Sequence, residues 1–275
     1  MDGGLHIGTC SWRFSAWTGL VYSGRPGTEK LAEYAGRYGC VEVDQWYWSL
    51  FGADKVVLPQ AKAAAEYAAS VPEGFRFGVK LPDALTLTHL RPKVKGGPLV
   101  PNPHFLSVEL LGRFMERLEP MRGKLGPLML QFGYLNRRMV ASQDEFLERL
   151  DTFVRHLPAG HTWCVEGRNP DWLNDGYFLW LRERGLAHVW EQGYYMPPVA
   201  EVYPKHAEQL TGDTVVRLHG PDREGIEKLS GKDWSRIVAP LKDMLLKRKD
   251  AWVFVNKHFE DCAPKTIERI KERLG

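Results

Sequence analysis

Charged and amide side chains recur along this chain where short apolar stretches stop. Five read directly: Val41-Glu42-Val43-Asp44, Phe77-Gly78-Val79-Lys80, Leu128-Met129-Leu130-Gln131, Cys164-Val165-Glu166-Gly167-Arg168 and Val216-Arg217-Leu218-His219. Val253-Phe254-Val255-Asn256 makes a sixth. Side chains of a β-strand alternate between its faces, so the apolar residues of each stretch share one face and the polar ones the other. Glu42, Asp44, Lys80, Gln131, Glu166, Arg168, Arg217, His219 and Asn256 then converge. This mixture suits proton transfer on a charged molecule. Glu42 and Glu166 are the candidate general acid and base, with His219 as a further catalytic candidate. Lys80, Arg168 and Arg217 would tune those carboxyls and anchor an anionic group, the arginines through paired contacts. Asp44, Gln131 and Asn256 would orient the bound molecule.

A purely structural reading competes with this one. Barrel interiors hold buried ion pairs, and Glu42 with Lys80 on the next strand would make one. A whole ring of such groups is costly, because each buried charge loses several kcal/mol of hydration even when paired. A divalent cation would find ligand types in Glu42, Glu166, His219 and His258. The cations expected at the same rim oppose a dication, and no HxH or HExxH spacing is present. No metal is assigned, and the cofactor stays open.

Aromatic residues supply a second signal. Trp12 and Trp17 follow the first strand, Trp46, Tyr47 and Trp48 the second, and Trp172 the fifth. On loops at one face they would stack on a sugar ring or a base, with Trp12, Trp17 and Tyr47 as binding candidates. Roofing the core is the alternative use. His89, inside a long proline-rich segment, is a candidate acid/base that arrives when its loop closes, or simply an exposed histidine. Cys10 has no identifiable histidine partner, so it is not assigned as a nucleophile.

The elements that must position these groups alternate. His6–Cys10 and Leu186–Trp190 are weaker strands that bring the count to eight. Helical spacing predicts helices over Thr28–Tyr38 with Thr28 as N-cap, Pro59–Ser70, Ser107–Leu118, Ser142–His156, Asp175–Arg184, Trp234–Lys249 and Pro264–Leu274. Ser142 and Glu145 have capping-box spacing. Tyr194–Leu210 reads as loop with at most a short helix. Alternation repeated about eight times implies a parallel sheet covered by helices. No glycine-rich phosphate fingerprint follows an early strand, so an α/β, eight-stranded (β/α) TIM-like barrel fits better than an open sheet. A barrel keeps its site at the carboxyl ends of its strands, where the polar residues fall. One domain covers 1–275. The segment at about 82–106 follows the third strand and would overhang that face as a lid or binding loop.

Composition is that of an ordinary globular chain, 44% hydrophobic and 26% charged over 275 residues. The formal charge of +3 is spread along the chain, which gives little support to a nucleic-acid partner. No apolar run approaches the ~20 residues of a membrane helix, so no membrane partner is expected. Cys10, Cys40, Cys164 and Cys262 lack CxxC spacing; three lie on or beside strands and read as small buried residues, and a reducing cytoplasm is expected.

The motifs also occur in a known order. Gly8-Thr9-Cys10-Ser11-Trp12 with Trp17, Tyr38 to Tyr47 around Val41-Glu42-Val43, and Phe77-Gly78-Val79-Lys80 with Thr88-His89 open it. Leu125-Gly126-Pro127 through Gln131-Phe132, Val165-Glu166-Gly167-Arg168 with Trp172, Val216-Arg217-Leu218-His219-Gly220, and Phe254-Val255-Asn256 with Ala263-Pro264 continue it. The set resembles the DUF72 (YecE-like) family over nearly the whole chain. That resemblance implies an eight-stranded β/α barrel and no established activity. The chain departs from the family pattern at Asp44-Gln45-Trp46-Tyr47, at Asn169 where histidine is frequent, and at Asn256-Lys257 where paired asparagines are usual.

Three functions follow as expectations. The first is an enzyme acting on a small anionic or sugar-like substrate, with hydrolase, lyase and isomerase chemistry all open. The second is a nucleic-acid-binding or repair protein, marked by steep salt dependence of affinity. The third is a non-catalytic ligand-binding module, which would retain a ligand unconverted.

Overall fold

The computed structural model describes residues 4–275 apart from 54, 93, 95, 194, 211, 221–230, 248, 258 and 261. The strands are β1 (Leu5–Thr9), β2 (Cys40–Val43), β3 (Arg76–Lys80), β4 (Leu125–Phe132), β5 (Trp163–Gly167), β6 (Ala187–Gln192), β7 (Asp213–Leu218) and β8 (Asp250–Val255). Each pairs in parallel with its neighbour in the order β1-β8-β7-β6-β5-β4-β3-β2. The seam between β1 and β2 is closed by a bridge from Cys10 to Glu42, and Ser11 N donates to Glu42 O at 3.0 Å. Glycine at position 8 makes that seam possible: a Cβ there would sit 2.1 Å from the carbonyl oxygen of Cys40. The architecture is the (β/α) TIM-like barrel expected from the alternation.

Helices α1 (Lys30–Ala35), α2 (Ala61–Ala69), α3 (Asp83–Thr86), α4 (Val108–Leu118), α5 (Gln143–Val154), α6 (Asp175–Glu183), α7 (Val199–His206), α8 (Gly231–Leu246) and α9 (Ala263–Leu274) cover the sheet. Caps set their starts. Ser107 and Ser142 accept from Leu110 N and Glu145 N, satisfying amides that the first turn leaves unpaired. Glu145 reaches back to Ala141 N rather than to Ser142 N, one residue earlier than a capping box requires. Thr28 is not the cap of α1. Glu29 is, accepting from Ala32 N at 2.7 Å, so the helix begins later than its apolar spacing predicts.

The strands separate two apolar layers. Val41, Phe77, Leu128, Val165 and Val216 pack outward against the helices, within the larger buried cluster. Cys10, Cys40, Met129, Cys164, Ala187, Val189, Val215, Trp252 and Phe254 fill the barrel interior. Gly78 makes room there, since a Cβ would meet the Phe254 ring at 2.5 Å. Above this apolar plug the inward positions turn polar.

The segment after β3 is tied down at several points among the described residues. It opens with α3, and His89 bridges Pro101. The Asn102 amide donates to Ala84 O at 2.8 Å and Leu87 O at 2.6 Å. Asp83, fully buried, accepts from Ser49 N, Ser49 Oγ and Leu50 N at 2.8–2.9 Å and pairs with Arg91 Nη1 at 2.7 Å. One carboxylate thereby holds the loops after β2 and β3 together.

Candidate active site

Arg217 is the centre of the polar layer. It projects inward from β7 with 1% of its side chain exposed and spans the barrel to the opposite wall. Its Nε and Nη2 donate to Glu42 Oε2 and Oε1 at 2.7 and 2.9 Å, a two-point grip between β7 and β2. Its Nη1 reaches Glu166 Oε2 at 2.8 Å, Gln131 Oε1 at 3.3 Å and Glu191 Oε2 at 3.4 Å. Arg168 approaches from the rim, donating from Nε to Glu166 Oε1 at 2.9 Å and from Nη2 to Glu191 Oε2 at 3.3 Å. Lys80 Nζ lies 4.0 Å from Glu42 Oε1 and 4.8 Å from the centre of the Tyr47 ring. His219 Nδ1 is 3.4 Å from Glu191 Oε1.

These neighbours give the carboxyls unlike protonation. Burial opposes the charge on Glu166, but Arg217, Arg168 and Lys80 more than offset it and hold the group ionised, below the ordinary carboxylate range. Glu191 shares the same arginines yet is pushed up to about 8, first by burial and then by the charge of Glu166, with which it shares a hydrogen bond. The two acids titrate as a pair, and burial beside the Glu166 charge favours the protonated form of Glu191 in spite of those guanidiniums. Burial and the charge of Arg217 keep His219 neutral. Burial and the Arg217 charge also lower Lys80, while burial and Glu42 raise Asp44. Burial holds the Cys10 thiol protonated.

Access differs sharply across the cluster. Glu42 and Glu166 have no exposed side-chain surface, whereas Arg168 keeps 19% and Lys80 11%. Asp44 and Asn256 are half-buried beside them. The two cations therefore sit on the open side of the cluster, above Glu42 and Glu166 and beside Glu191, whose side chain exposes only 1% of its surface.

Of the aromatic residues named from the sequence, Trp12 and Trp17 pack into the core instead of the mouth. Trp12 stands edge-on to Tyr67 at 5.0 Å, and Trp17 packs on Phe14 and Tyr22. Trp46 stacks on Tyr67, and Trp172 packs at a tilt against Phe146. Tyr47 is buried under Lys80. Among the described residues, Trp48, Phe51, Tyr134 and Tyr195 are exposed rings on loops at the carboxyl ends. His89 is half-buried and bonds through Nδ1 to Thr88 Oγ1 at 2.9 Å. His258 lies outside the described residues. Among the described residues no group of three or more His, Cys, Asp or Glu side chains is placed to hold a metal ion. No helix among them is long and apolar enough to cross a membrane.

Sequence reasoning missed Glu191. It ended the sixth strand at Trp190, whereas β6 runs to Gln192. The signal was present: Val189 fills the barrel interior, so Glu191, two residues on, must face inward as well.

Comparison with known proteins agrees with the barrel. A family model described as protein of unknown function DUF72 matches residues 6–275. A DUF72 family protein of Enterococcus faecalis V583 superposes with a TM-score of 0.69 at 17% identity, over 98% of this chain and 96% of that one. A DUF72 family protein of Thermotoga maritima MSB8 gives 0.67 at 20% identity, over 98% of each chain. At such identities the likeness concerns the fold alone. No curated protein matches.

Proposed function

This chain belongs to the DUF72 family, and we propose that its barrel mouth is the active site of an enzyme that transfers a proton on a small anionic substrate. Arg168 and Lys80 hold the anion at the rim. Glu191 is the proton carrier, and Arg217 with Glu42 and Glu166 forms the fixed frame beneath. The observation that carries this reading is the unequal Glu166–Glu191 pair. Arginines grip both oxygens of Glu166 at 2.8 and 2.9 Å and hold it charged, whereas they reach Glu191 only at 3.3 and 3.4 Å and its carboxyl is pushed up. Pairs of carboxyls driven apart by their surroundings supply an acid and an electrostatic partner in one site. Glu42 and Glu166, gripped by arginines, are better suited to placing charge than to exchanging protons. Free thiols at Cys10, Cys40 and Cys164, all buried, fit a reducing cytoplasm.

The test is incubation with pooled phosphorylated and carboxylated metabolites, followed by mass spectrometry. Wild type should deplete one component, E191Q should bind it without depleting it, and K80M should bind it at least tenfold more weakly. Equal turnover by E191Q removes Glu191 from the chemistry. Retention without conversion by wild type makes the site a binding module.

A further inference from the structure

Arg168 leaves the end of β5 between two exposed tyrosines. On one side β4 pairs with β5 so that Phe132 lies level with Gly167; Arg168 follows at once, and Tyr134 comes one residue past Gly133. On the other side β6 ends at Gln192 and Tyr195 stands three residues on. The two rings meet edge to face with centroids 6.2 Å apart and remain 56% and 58% exposed. Their backbones are held in place. The Asn169 side chain clamps Leu135, donating to its carbonyl at 2.8 Å and accepting from its amide at 2.9 Å, which fixes the turn carrying Tyr134. Gly193, at φ +132°, presses the other turn against His219, where a Cβ would lie 2.3 Å from the carbonyl oxygen. Met196 N closes that turn on Gly193 O at 3.3 Å.

Large rings left in water on two separately braced turns do not serve the core. An edge-to-face pair presents one ring face and one ring edge to an incoming flat group, the arrangement that aromatic partners prefer. Burial raises the Tyr195 hydroxyl while the charge of Arg168 lowers it, so ring and guanidinium lie within electrostatic reach.

We infer that Tyr134 and Tyr195 form a ring-binding subsite flanking Arg168, so that the substrate is an anion carried on a flat aromatic ring. This rests on the anion-binding mouth proposed above and adds the class of molecule the mouth selects. Arg168 takes the anionic group while the tyrosines take the ring, and Asn169 acts as a positioning residue through Leu135.

Calorimetric titration with two matched pairs of probes tests it: inorganic phosphate against phenyl phosphate, and acetate against benzoate. In at least one pair the ring should strengthen binding about tenfold, in the range of a single stacked ring. Y134A and Y195A should each remove most of that gain and leave the small anion within twofold, whereas Y195F should keep it. Both tyrosines are exposed, so melting temperatures should stay near wild type and show that the fold survives. If the small anions bind and the ring adds nothing, or if Y134A and Y195A leave the gain intact, the subsite is overturned alone. If none of the four probes binds, the anionic mouth itself is wrong, and the subsite falls with it.

Discussion

Replacing Glu191 with glutamine should change how stability depends on pH. In the folded protein this carboxyl rises from an ordinary 4.5 to about 8. Between those values the native chain binds more protons than the unfolded one, so stability falls as pH rises through the window. The loss accumulates at ~1.36 kcal/mol per pH unit while native Glu191 stays protonated and the unfolded carboxyl is ionised. From pH 6 to pH 8, where native Glu191 itself begins to ionise, that amounts to about 2 kcal/mol, with a ceiling of roughly 5 kcal/mol over the whole window. Glutamine has nearly the shape of the protonated acid and does not titrate. E191Q should therefore match wild type only below about pH 4.5, exceed it by about 2 kcal/mol at pH 6 and exceed it by about 4 kcal/mol at pH 8. Urea unfolding followed by tryptophan fluorescence at pH steps from 5 to 9 reads this directly. Parallel stability curves would show that Glu191 is ionised in the fold, and the assignment of a proton carrier would go with it.

The frame beneath is equally open to test. R217M leaves Glu42 and Glu166 buried without their central partner and should cost about 3–5 kcal/mol at neutral pH. Adding E42Q should restore part of that loss in urea unfolding, and strict additivity would contradict the two-point grip. G8A forces a methyl group against the Cys40 carbonyl at the β1–β2 seam and should lower the melting temperature by several degrees or prevent folding. A melting temperature unchanged within a degree would mean that the seam has slack the geometry denies.

What the sequence determined is the part governed by local periodicity. Val41-Glu42-Val43 and Val216-Arg217-Leu218 alternate, and a pleated strand buried on its outer face leaves Glu42 and Arg217 only the barrel interior. The same rule placed Lys80, Gln131 and Glu166, and it would have placed Glu191 had β6 been carried past Trp190. Partner choice was another matter. Glu42 looked suited to Lys80 on the next strand, yet Lys80 Nζ stays at 4.0 Å while Arg217 takes both oxygens from across the barrel. That contact joins residues 175 positions apart and exists only once the sheet closes. Trp12 and Tyr134 show the same limit, since both follow strands and both are aromatic. One packs against Tyr67 from α2 and is buried, and the other stands in water beside Tyr195. Periodicity sets the direction in which a side chain leaves its strand, whereas its burial, its partner and its proton depend on what distant segments bring to meet it.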